Sequence, residues 1–137
     1  MKRLRILSLA LAVVMLLSVP AFAIGYRASD QIAKHSINIT ALPGQIYVYT
    51  SVTGAGIMDT LGCESIEIYR QVGSYWVTDY SYDEDDNEMT ISKSASYAHT
   101  HYFNSIEGAY YMVEVTVFAE DDEGRDTRSK TVYLTGE

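Results

Sequence analysis

Cysteine is nearly absent from the sequence: Cys63 stands alone, so no disulfide can form within the chain and the fold must be held by packing. Proline occurs only twice, at Pro20 and Pro43. No segment keeps a helical apolar period over three turns, which argues against an amphipathic helix of ordinary length. Internal repeats and low-complexity segments are also missing. Basic residues are scarce, with 10 Lys and Arg against 18 Asp and Glu and a formal net charge of −8. A surface this acidic disfavours nucleic acid and anionic membrane as partners.

The first residues have the pattern of a targeting signal. Met1-Lys2-Arg3-Leu4-Arg5 is a basic start, Ile6 to Val19 is an apolar run interrupted only by Ser8 and Ser18, and Ala21-Phe22-Ala23 fits a small-x-small cleavage site. The run falls short of the roughly 20 apolar residues that span a bilayer. The reading is a signal peptide helix over 1–23, cleaved after Ala23, a secreted product and no stable membrane anchor afterwards. Removing it takes Lys2, Arg3 and Arg5, leaving 7 basic against 18 acidic residues, a net −11 on 114 residues. That length is one domain, divided into a lead-in over 24–35 and a folded unit over 36–137.

The strongest structural signal is Gly108 to Ala119. Tyr111, Val113, Val115 and Val117 alternate with Tyr110, Met112, Glu114, Thr116 and Phe118. A period of two, rich in β-branched and aromatic residues, marks a half-buried strand with the valines on its dry face. Similar alternation predicts strands at 36–41, 45–53, 63–70, 75–80, 96–103 and 127–135, with a short edge strand at Met89-Thr90-Ile91. Ile46, Val48, Thr50 and Val52 share one face, Ile66 and Ile68 point inward, and so do Val132 and Leu134. Pro43-Gly44 and Val72-Gly73-Ser74 read as turns. Gly54-Ala55-Gly56 reads as a break, followed by a single turn over Ile57 to Gly62 that plugs one end of the core with Met58 and Leu61. About seven short strands with regular turn signals predict an all-β sandwich.

Gly108-x-x-Tyr111-x-Val113-x-Val115-x-Val117-x-Ala119, with Gly124 and a Thr-rich return strand, resembles the final hairpin of bacterial immunoglobulin-like and PKD-type domains. The resemblance covers about the last thirty residues. It implies an immunoglobulin-like β-sandwich with Tyr111 as the tyrosine corner. Those families often place a tryptophan on a central strand, whereas Trp76 falls in the fourth predicted strand. The whole mature chain also resembles small secreted proteins of Gram-positive anaerobes, through Arg27-Ala28-Ser29, Val52-Thr53-Gly54-x-Gly56-x-Met58-Asp59-x-Leu61-Gly62 and Ile66-x-Ile68-Tyr69. That resemblance implies no activity.

Several residues invite a functional reading. Asp83, Asp85 and Asn87 alternate like the start of a calcium loop, but the sixth and twelfth positions are Glu88 and Ser94 instead of glycine and a carboxylate. The expected role of the acidic run Asp83 to Glu88 is a solvated turn. His99 and His101 lie two apart on one strand face, about 7 Å from each other, a spacing that can chelate a metal with His35 as third ligand. No cysteine pair or HExxH motif joins them, so no metal or cofactor is expected. Cys63 has no histidine beside it and no nucleophile-elbow motif accompanies the serines, which leaves Cys63 as a small buried side chain. Trp76, Tyr80 and Tyr82 share parity; with Tyr75 and Val77 turned inward, they would form an outward aromatic row able to stack on sugars or anchor a protein. The expected function is a secreted non-catalytic binding or structural module for an unknown protein or glycan. The alternative is a secreted enzyme inhibitor or a small hydrolase-type enzyme without a recognisable motif.

Overall fold

The computed structural model describes residues 30–137. The expected signal peptide and residues 24–29 of the lead-in lie outside the described residues. Six strands follow: β1 (Ile32–Leu42), β2 (Gln45–Val72), β3 (Tyr75–Asp83), β4 (Thr90–Asn104), β5 (Tyr110–Asp121) and β6 (Gly124–Thr135). All pairings are antiparallel, and no helix occurs among the described residues. The chain is all-β, and its strands form one curled sheet.

The 28-residue β2 organises the curl. Its first part, Gln45 to Thr53, lies between β1 and the second part of β4. Its last part, Ser65 to Arg70, lies between β3 and β5, with β6 outside β5. The sheet therefore has two wings, β1-β2-β4 and β3-β2-β5-β6, joined through β2. Their inward faces share one apolar cluster. Ile37, Ile46, Val48 and Val52 come from the first wing, and Ile66, Ile68, Tyr111, Val113, Val115 and Val117 from the second. The parity expected for β2 and β5 is the parity observed. Leu134 packs against the cluster, and Val132 is half-buried.

The middle of β2 departs from expectation. Ile57 to Gly62 is strand, not a plugging turn: Met58, Thr60, Leu61 and Gly62 pair with Ser94, Ser92, Ile91 and Thr90. The glycines at 54 and 56 mark a break in register between Thr53 and Met58, and the strand continues past it. A bulge bends a strand without ending it, and here it carries β2 from one wing to the other. Met58 and Leu61 are buried as expected, but from a strand. The same continuity joins Thr90-Ile91 and Ser96–Phe103 into β4, which lowers the expected strand count. Gly62 has φ +153°, and a Cβ there would stand 2.3 Å from the Met89 carbonyl oxygen. That carbonyl accepts the Cys63 N–H at 2.7 Å, so the close approach needs glycine.

The outer edges β1 and β6 run side by side in the same direction without a ladder. The Ile32 N–H donates to Asp126 Oδ2 at 3.3 Å, Lys130 Nζ to the Ile37 carbonyl at 2.9 Å, and the Gly44 N–H to the Glu137 carbonyl at 2.7 Å. Near the Gly44–Glu137 contact, the fully buried Tyr111 ring turns its hydroxyl back to accept the Ile106 N–H at 2.8 Å.

Candidate functional site

Strand β3 decides where the aromatic residues go. Ile66 and Ile68, both inward, pair with Tyr82 and Tyr80. Between Ile68 and Tyr69 the register shifts, and Tyr69 pairs with Thr78. Asp79 is the extra residue, and its carboxylate accepts from Arg70 Nε at 2.9 Å. One extra residue reverses the parity of everything beyond it. The expected outward row of Trp76, Tyr80 and Tyr82 is therefore split. Tyr80 and Tyr82 lean on the core, their rings 5.1 and 5.5 Å from buried Phe103. Tyr75 and Val77 have inward parity but stay exposed, because the hairpin tip from Gln71 to Thr78 is exposed throughout.

Trp76 faces outward in different company. Its ring lies 5.9 Å from Tyr110 and 6.1 Å from Tyr133, and those two rings stack 6.2 Å apart at 21°. The three are 38 %, 41 % and 55 % exposed. Tyr110 belongs to β5 and Tyr133 to β6, so the trio converges across the width of the second wing. Tyr69 and Met112, directly paired, share the same face. Two residues further along, on the same face, Glu67 stands opposite Glu114. Glu67 accepts a hydrogen bond from Ser81 Oγ at 2.7 Å. Partial desolvation and the two carboxylates together raise the pKa of the Tyr69 phenol.

The histidines lie on the other side of the sheet from this patch. His99 and His101 pair with Thr50 and Val48 and have inward parity. Their ring centroids are 4.5 Å apart, and His101 stacks on Phe103 at 6.3 Å. His99 Nε2 lies 3.1 Å from Glu88 Oε2. Burial, then the neighbouring His99, lowers the His101 pKa. With Tyr82 and Asn87 these residues line an open cleft of about 460 Å³. Asp83 serves its own turn, where its Oδ1 accepts the Asp85 N–H at 2.9 Å, and the Asp83 N–H donates to Asp86 Oδ2 at 2.9 Å. Among the described residues, no three His, Cys, Asp or Glu side chains are grouped to hold a metal ion.

Arg125 ties the acidic turn to the second wing. Its guanidinium lies 3.8 Å over the Phe118 ring and pairs with Glu64 and Glu120, each at 3.2 Å, and with Glu84. Cys63 is fully buried, and desolvation pushes its thiol up to about 12, far from a reactive thiolate at neutral pH.

No protein-family profile matches the sequence, and no curated protein is detectably similar to it.

Proposed function

We propose that the chain is a secreted, non-catalytic binding module with an immunoglobulin-like β-sandwich, which docks a protein or glycan partner on the outward face of the β3-β2-β5-β6 wing. Three features support the sandwich. The wings have the strand orders β1-β2-β4 and β3-β2-β5-β6, the edges β1 and β6 run parallel beside each other, and Tyr111 returns its hydroxyl to the backbone five residues upstream as a tyrosine corner does. The reading of secretion rests on the basic start, apolar run and Ala21-Phe22-Ala23 of the sequence.

The observation that carries the binding role is the exposed ring trio Trp76, Tyr110 and Tyr133. Large rings gathered on a solvent face lower solubility unless a partner covers them, and aromatic clusters of this kind dominate binding energy where they are covered. The test is a glycan array and a pull-down with the purified protein, repeated with Trp76→Ala. A partner captured by the wild type and lost with the folded variant supports the reading. A partner retained by the variant at full affinity moves the site elsewhere.

A further inference from the structure

Building on the docking face proposed above, we propose that its ligand is a cationic glycan, a sugar polymer with free amino groups. The charge of the face selects the ligand. Along the outward positions of the second wing, the described residues provide one cation, Arg125, and it lies at the far end in the grip of Glu64, Glu84 and Glu120. Beside the rings stand Glu67 and Glu114, directly opposite in register with no basic residue between them. Like charges directly opposed on a sheet destabilise it, and a cation placed between them relieves that repulsion. Glu67 lies two residues from Tyr69 along β2, about 7 Å at strand rise. One bound chain can thus lie on the rings and present its charge to the carboxylates.

The shape of the site favours sugar over peptide. A peptide gains much of its affinity from backbone pairing at a strand edge, and this face offers side chains only. The C–H groups of a pyranose carry slight positive charge and suit the negative face of an aromatic ring. Gln71, Thr78, Thr131 and Thr135 surround the rings and carboxylates with groups that can bond sugar hydroxyls. A protonated amino group on each sugar unit adds the countercharge that Glu67 and Glu114 lack.

The experiment is calorimetric titration of the purified protein with glucosamine hexamer, N-acetylglucosamine hexamer of the same linkage, and hexalysine. Glucosamine hexamer is expected to bind about tenfold tighter than its neutral acetylated counterpart, the modest gain that two exposed charge pairs would give. Glu67→Gln combined with Glu114→Gln should erase that difference and leave the neutral hexamer unchanged. Trp76→Ala should weaken both sugars, and Tyr133→Ser provides the same test should the tryptophan variant fold poorly. Equal binding of the two hexamers overturns the cationic assignment and leaves aromatic docking standing. Binding of hexalysine alone overturns the glycan and leaves a protein-docking face. Absence of any ligand that depends on Trp76 or Tyr133 overturns both this inference and the reading beneath it.

Discussion

Two aromatic clusters meet on one strand, and they do opposite things. Tyr80 and Tyr82 of β3 lean inward on Phe103, which is 4 % exposed, and close the mouth between the wings. Trp76, six residues or fewer away, points outward to Tyr110 and Tyr133 and stays 38 % exposed. Both clusters take large aromatic side chains from the same strand, β3. What separates the clusters is one bulged residue, Asp79, anchored by Arg70. An inward ring removes its area from water and stabilises the fold. An outward ring keeps that area available, so its contribution can be realised on binding.

The largest expected effect tests the inward face at its centre. Val115 is 1 % exposed and pairs with Ile66. Val115→Asp should prevent folding, because it puts a carboxylate into the apolar cluster, where the opposed Lys130 is already committed to the Ile37 carbonyl, at a cost above about 4 kcal/mol. A circular-dichroism melt near the wild-type temperature would refute the parity on which the whole account rests. Next come the two clusters themselves. Phe103→Ala should cost roughly 3–5 kcal/mol in urea unfolding, as for buried aromatic truncations. Trp76→Ala should cost about 1–2 kcal/mol, the value of partial burial and two ring contacts. Equal costs would mean that the outer trio is a second core and not a surface. Thr116→Asp should be milder again, about 1 kcal/mol, since it loses only the 2.8 Å hydroxyl contact with Ser129 on the outward face.

The valine and isoleucine core was legible in the sequence, and the sorting of the β3 aromatic residues between the two faces was not. Alternation over Tyr111, Val113, Val115 and Val117 and over Ile46, Val48 and Val52 fixes a face within each strand, and these residues form the core. The turn at Pro43-Gly44 and the acidic run from Asp83 to Glu88 follow from local chemistry too. Bulges are different. The Gly54–Gly56 segment reads as a strand end but is a bend within β2, because hydrogen bonds from β4 carry the ladder onward from Met58. The bulge at Asp79 leaves no mark in apolar periodicity, so Trp76, Tyr80 and Tyr82 read as one row. Tyr110 and Tyr133 were missed for a related reason. Each sits on the polar side of its own strand, and only the register between β3, β5 and β6 brings them to Trp76.

The smallest expected effect uses pH to separate the clusters once more. His101 belongs to the inner one, stacked on Phe103 beside His99, with Glu88 the nearest acidic group. Burial and the neighbouring His99 lower its pKa in the folded state below the ordinary 6.5. A base whose pKa is depressed by folding takes up its proton more readily when unfolded. Its contribution is therefore complete above pH 6.5 and declines as pH falls toward the folded-state value. The slope for one proton cannot exceed about 1.4 kcal/mol per pH unit. Urea unfolding at pH 7.5 and pH 5.5 should show the wild type losing stability over this range, and His101→Gln losing less. Trp76→Ala should keep the wild-type slope, since no titrating imidazole touches the outer trio. If the two variants lose stability in parallel with the wild type, the acid sensitivity lies outside the inner cluster and the buried setting of His101 is wrong.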